Sequence, residues 1–102
     1  MKETGGASDD VTDDEILEAM SALAECEGIF TETAGGVTVG VAKKLVASGR
    51  IPAEDSVVLC ITGNGLKTID AVQGHVGKPA EIKPSLREFE QLIESDNKIK
   101  SK

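Results

Sequence analysis

The sequence predicts an α/β fold organised around one β-α-β unit, with parallel strands and packed helices. Three observations predict it. Ser56-Val57-Val58-Leu59-Cys60-Ile61 is a continuous run of strand length, rich in β-branched residues, the pattern of a strand buried on both faces of a parallel sheet. From Val37 to Ser48 the apolar residues recur at helical spacing and leave only Lys43 and Lys44 charged. A helix apolar nearly all round is a buried helix. The stretch Gly28-Ile29-Phe30-Thr31 precedes it as a short extended segment, so strand, helix and strand follow in the order of a right-handed crossover.

Each element has its own signal. Thr12-Asp13-Asp14-Glu15 has the capping-box form, in which the N-cap hydroxyl and the third-position carboxylate each satisfy a free backbone N–H. Ile16, Leu17, Met20, Leu23 and Ala24 then recur at helical spacing, and Gly28 is suited to a left-handed cap. A helix over residues 13–27 follows. Ala34-Gly35-Gly36 interrupts the next extended stretch before the second helix, which Gly49 ends. Valines are poor helix formers, so burial has to hold that helix. After the second strand comes the loop Thr62-Gly63-Asn64-Gly65, then a short helix over residues 66–72. Gly74, Gly77, Pro79 and Pro84 make residues 73–84 irregular. Ser85-Leu86-Arg87-Glu88 repeats the capping-box form and opens a helix to about residue 95, with Leu86, Phe89, Leu92 and Ile93 expected to face inward. Residues 1–95 form the folded segment, and residues 96–102 read as a polar, disordered tail. There are no internal repeats.

Composition narrows the function classes. A chain of 102 residues has room for one core and one site. With aromatics at 2%, that core must be packed from aliphatic and small residues. A net charge of −7 disfavours nucleic acid, whose phosphates need a basic face. No run approaches about 18 apolar residues, so no membrane span is expected. Met1-Lys2-Glu3-Thr4-Gly5-Gly6 carries no apolar stretch, so no secretory signal is expected and the cytoplasm is the expected location. Cys26 and Cys60 are too few for a disulfide scaffold and read as small buried thiols.

In an open parallel sheet, ligands gather beyond the carboxyl ends of the strands. Two loops end strands here: Thr31-Glu32-Thr33-Ala34-Gly35-Gly36 and Thr62-Gly63-Asn64-Gly65. If their strands are neighbours, the loops converge. Thr62 then offers a hydroxyl at the last strand position, while Gly63 and Gly65 let the backbone approach a ligand closely. Glu32 and Thr33 bring a carboxylate and a hydroxyl to the mouth of the buried helix. Taken singly, each loop also reads as an ordinary turn. His75 has no Cys or Asp partner at metal spacing and reads as a loop histidine. Lys67 reads either as an anion contact or as a solvated lysine. Phosphate-loop, zinc-protease and serine-triad patterns are absent from the sequence.

At these two loops the chain is similar to a known family. Glu27-Gly28-Ile29-Phe30-Thr31-Glu32-Thr33-Ala34-Gly35-Gly36-Val37-Thr38-Val39, followed by Ile61-Thr62-Gly63-Asn64-Gly65-Leu66-Lys67-Thr68, resembles the C-terminal part of threonine synthase. Lys2-Glu3-Thr4-Gly5-Gly6-Ala7 and Ile82-Lys83-Pro84-Ser85-Leu86-Arg87-Glu88-Phe89 resemble the same final segment. The resemblance implies a fragment of the large domain of the tryptophan-synthase-β-like fold (fold type II), which works with pyridoxal 5'-phosphate. It implies that Thr62 faces the pyridine nitrogen of that cofactor, that Glu32 lies near the ring edge, and that Gly63 and Asn64 shape the loop under the ring. A neutral hydroxyl partner would leave the ring nitrogen largely unprotonated and moderate the electron sink.

The chain also departs from the family. Family members are several times longer, and their cofactor-attaching lysine and glycine-rich phosphate loop lie in the N-terminal half. Lys43, Lys44 and Lys67 match no such lysine, so no residue here is expected to be catalytic. The expectation is a truncated piece of a threonine synthase, or one partner of a split enzyme that needs the missing N-terminal half. A homodimer through the uncovered apolar helix is a further expected assembly. The reading from a different class is a non-catalytic α/β module for interaction or regulation.

Overall fold

The structure is a computed structural model that describes residues 1–77 and 79–100. Its centre is a pair of packed helices, α1 (Asp13–Glu27) and α2 (Thr33–Ala47). The first forms where the capping box predicts. The Glu15 N–H donates to the Thr12 hydroxyl at 3.3 Å, and the Thr12 N–H donates to Glu15 Oε2 at 2.7 Å. At the other end Gly28 takes φ 67° and returns its N–H to the Ala24 carbonyl, the left-handed cap that glycine adopts without a Cβ penalty.

The second helix starts four residues before Val37, where the sequence places its first turn. Gly35 and Gly36 lie inside α2 and do not interrupt a strand. Their role is close approach. A Cβ on Gly36 would sit 2.8 Å from Met20 Cγ and 2.9 Å from the Ile16 carbonyl oxygen. One turn later, a Cβ on Gly40 would sit 3.0 Å from a Val11 methyl. Glycines at these two positions bring the α2 backbone against α1, and Ala19, Met20 and Leu45 are buried between them. Truncating Met20 to Ala would cost about 2–5 kcal/mol on the usual scale of core deletions.

Beyond this pair the packing thins. A 3-10 turn (Gly65–Thr68) leads into α3 (Ile69–Val72), which buries Val72. The last helix, α4 (Leu86–Lys100), starts with the Glu88 N–H donating to the Ser85 hydroxyl at 3.3 Å. It continues five residues past the boundary read at residue 95, so residues 96–100 are helical; residues 101 and 102 lie outside the described residues. The inward face expected for α4 is not inward: Leu86 is 71% exposed, and Phe89 and Ile93 are exposed too. The radius of gyration is 19.0 Å, against about 13 Å for a compact 100-residue domain.

Three further expectations are corrected. No strand and no parallel pair form among the described residues, so the β-α-β unit is not present as a unit. The single antiparallel bridge, between Thr31 and Asn64, joins the first segment to the loop that follows the second and not to the run at residues 56–61. The reason is physical: β-branched residues confer propensity, whereas a strand exists only where a neighbour completes its ladder. Residues 56–61 make no backbone hydrogen bond to the described residues. Next, α2 is covered on the α1 side only, and Val37 and Val46 on its other side are exposed. Lastly, Cys26 and Cys60 are exposed, because one ends α1 on its outer side and the other lies in the unpaired segment. No helix of the described residues is long and apolar enough to cross a membrane.

Candidate functional site

The two loops do converge, as expected, through the Thr31–Asn64 bridge. The Glu32 N–H donates to the Gly63 carbonyl at 3.1 Å, and the Gly65 N–H donates to the Phe30 carbonyl at 3.0 Å. Thr31 lies beneath this crossing with no exposed surface. Its hydroxyl is 3.2 Å from both the Gly63 and the Glu32 carbonyl oxygens, so a buried polar side chain is satisfied by the two loops it joins.

Four candidate residues sit at or beside the crossing. Glu32 is the N-cap residue of α2, although its side chain makes no capping bond. Its carboxylate instead lies over Gly63 and meets Lys67, with Nζ 2.8 Å from Oε2. Gly63 has no room for a Cβ, which would overlap the Glu32 side chain. Asn64 caps the following turn: its side-chain oxygen accepts from the Leu66 N–H at 2.9 Å. Thr62 is exposed, at the end of an extended segment but not of a paired strand. Its hydroxyl forms no hydrogen bond with the described residues.

Two partners, Thr31 and Thr68, escaped sequence reading. Thr31 proves to be the buried pin of the crossing. The Thr68 hydroxyl accepts from the Thr33 N–H at 3.1 Å, tying the start of α2 to the second loop. Lys67, read as an anion contact or a solvated lysine, is ion-paired. The signal available for Lys67 was its charge, opposite to Glu32 on a loop expected to converge with it. His75 is exposed in a turn after α3. Among the described residues no His, Cys, Asp and Glu group could hold a metal.

The arrangement can bind one edge of a ligand. Thr62 presents a neutral hydroxyl that is exposed and without a partner among the described residues. Three backbone N–H groups at the glycine turn are used, Gly65 to Phe30, Leu66 to the Asn64 side chain and Lys67 to the Asn64 carbonyl, whereas those of Gly63 and Asn64 donate no hydrogen bond among the described residues. A cavity of about 290 Å3 lies elsewhere, lined by Asp13, Ile16, Leu17, Thr33 and Ala71, and Thr62 is not part of its wall.

The model of the pyridoxal-phosphate-dependent enzyme family matches residues 1–63. The chain therefore belongs to that family, whose fold is the tryptophan-synthase-β-like fold. Within it, the chain is similar to threonine synthases. It is 36% identical to that of Methanocaldococcus jannaschii over 90 residues, which are 88% of this chain and 22% of the relative. It is 46% identical to that of Halalkalibacterium halodurans over 65 residues, 64% of this chain and 18% of the relative. With that of Synechocystis it shares 41% over 87 residues, 83% of this chain and 22% of the relative. The chain thus spans about a fifth of the length of the curated relatives it matches.

Proposed function

We propose that residues 1–95 are the C-terminal part of a pyridoxal-phosphate-dependent threonine synthase, contributing the pyridine-side cofactor loop and inactive alone. The whole enzyme would convert O-phosphohomoserine and water to threonine and phosphate. One observation carries the reading: Thr62 offers an exposed hydroxyl, unpaired among the described residues, beside a loop whose backbone is pinned by Thr31 and whose charge is balanced by Lys67 and Glu32.

The fit to the cofactor is partial. A hydroxyl without an internal partner suits the ring nitrogen, and Gly63 leaves the backbone flat under Glu32. Gly63 and Asn64 keep that loop in shape, and Glu32 lies at what would be the ring edge. The family's phosphate loop and attaching lysine have no match in this sequence, and Lys44 and Lys67 are ion-paired. When bound, pyridoxal phosphate supplies an electron sink for the substrate. This chain's part is to hold the ring nitrogen with a neutral donor. The attaching lysine, the phosphate loop and the remaining walls would belong to a partner polypeptide or to the missing N-terminal half.

The alternative of a non-catalytic interaction or regulatory module draws support from the same lack of a lysine and a phosphate site. Borohydride reduction in the presence of pyridoxal phosphate, read by peptide mass spectrometry, tests the reading. The chain alone is expected to show only scattered lysine labelling. With the remainder of a threonine synthase supplied, one lysine outside this chain should be labelled stoichiometrically. Stoichiometric labelling of a single lysine in the isolated chain would refute the proposal, and no labelling in the mixture would favour the module.

A further inference from the structure

Two groups with opposite consequences for a bound ring meet at the loop crossing: the neutral hydroxyl of Thr62 and the carboxylate of Glu32. The carboxylate is fixed from three sides. The Glu32 N–H donates to the Gly63 carbonyl at 3.1 Å. The Glu32 side chain lies against Gly63, where no Cβ fits. Lys67 Nζ closes on Oε2 at 2.8 Å and is the only cation paired with Glu32 among the described residues. The local sequence brings Lys67 there. Asn64 caps the turn by accepting from the Leu66 N–H at 2.9 Å, and the Lys67 N–H returns to the Asn64 carbonyl at 3.2 Å. A 3-10 turn closes every three residues, so Lys67 comes back over the loop that Gly63 and Asn64 form.

We propose that Lys67 is a positioning residue that holds the Glu32 carboxylate away from the pyridine nitrogen and so leaves that nitrogen to Thr62. The inference rests on the proposed function and deepens it. A pyridine nitrogen facing a hydroxyl stays largely neutral. One facing a carboxylate takes a proton from water, because the opposite charge favours the protonated form. Both partners stand at the same crossing, since the Glu32 side chain lies on Gly63, the residue after Thr62. What separates their roles is the commitment of the carboxylate to Lys67. In the chain alone the Lys67 side chain is 65% exposed, and an exposed pair is weak. A bound ring and the polypeptide covering it would take the pair out of water, where charge attraction grows as the dielectric falls. Moving the carboxylate to the ring would then leave an ammonium group unpaired, which is costly. An ion pair with a structural role only would steady the loop and leave ring protonation unchanged.

The test uses the full 102-residue chain, the Methanocaldococcus jannaschii threonine synthase with the stretch that this chain matches deleted, and pyridoxal phosphate isotopically labelled at the ring nitrogen for NMR. At fixed pH the wild-type complex should show the neutral ring-nitrogen resonance. Lys67→Met, with unchanged helicity by circular dichroism, should raise the ratio of protonated to neutral nitrogen about threefold or more. Lys67→Arg should keep the wild-type resonance, and Lys67→Met combined with Glu32→Gln should return to it. In the chain alone, Lys67→Met should weaken the proton contact between the Glu32 side chain and the Gly63 α-carbon. An unchanged ring-nitrogen resonance in Lys67→Met would overturn the inference while the cofactor reading stands. So would protonation that persists once Glu32→Gln is added, or a Glu32–Gly63 contact in the chain alone that Lys67→Met leaves unchanged. A wild-type complex that takes up no cofactor would refute the proposed function and the inference with it.

Discussion

Lys67 Nζ lies 2.8 Å from Glu32 Oε2, and this ion pair spans the two loops that sequence alone expects to meet. Glu32 contributes a side chain only 15% exposed, while that of Lys67 is 65% exposed. The carboxylate is thereby held over Gly63 and away from solvent.

A double-mutant cycle on Lys67→Ala and Glu32→Ala should give a coupling of about 0.2–1 kcal/mol, because one partner is largely solvated. The pair's larger effect is expected on geometry. Amide shifts of Gly63 and Asn64 should move in Lys67→Ala. Unchanged shifts would show that the pair holds nothing in place.

Gly63→Ala places a methyl group into the Glu32 side chain. The clash should cost about 1–3 kcal/mol, the usual scale of overpacking. Glu32→Ala combined with Gly63→Ala should recover most of that loss in thermal melts. A double variant as unstable as Gly63→Ala would place the strain in the backbone.

The α1 capping box carries a pH dependence. The Glu15 carboxyl is held below its usual value of 4.5, first by the Thr12 backbone N–H and then by Lys44. Its contribution to stability is present above 4.5 and is lost as pH falls through the depressed value. The Lys44 ammonium is raised above 10.5, first by Glu15. Its contribution is full below 10.5 and is lost as pH rises through the raised value. Glu15→Gln should flatten both limbs of a melting-temperature profile. A profile unchanged in Glu15→Gln would assign the dependence to other carboxylates.

The helical elements were legible where one residue decides an end. Thr12, Glu15 and Gly28 set α1 to the residue, because caps act through local backbone bonds. Gly35 and Gly36 misled, since a glycine pair reads as a break until the partner helix that needs it is seen. The run at residues 56–61 was legible as a strand and forms none here. Its sequence encodes burial, whereas pairing depends on neighbours that the described residues do not provide. The same reason leaves Leu86 and Phe89 bare on a helix whose start was read correctly and whose end was placed five residues early. At the site, convergence of the loops was expected from neighbouring parallel strands, whereas they meet through a single antiparallel bridge. The Thr31 pin and the Thr68 contact to α2 could not be inferred, because each depends on the register which that bridge sets.

The most direct measurement is of Thr62 in the assembled protein, this chain together with the remainder of a threonine synthase. Absorbance titration with pyridoxal phosphate should show weaker binding in Thr62→Ala, with the fold intact by circular dichroism. Thr62→Asp should redistribute the absorbing species, because a carboxylate favours the protonated ring nitrogen. Cofactor affinity and spectrum both unchanged in Thr62→Ala and Thr62→Asp would contradict the account and remove Thr62 from the site.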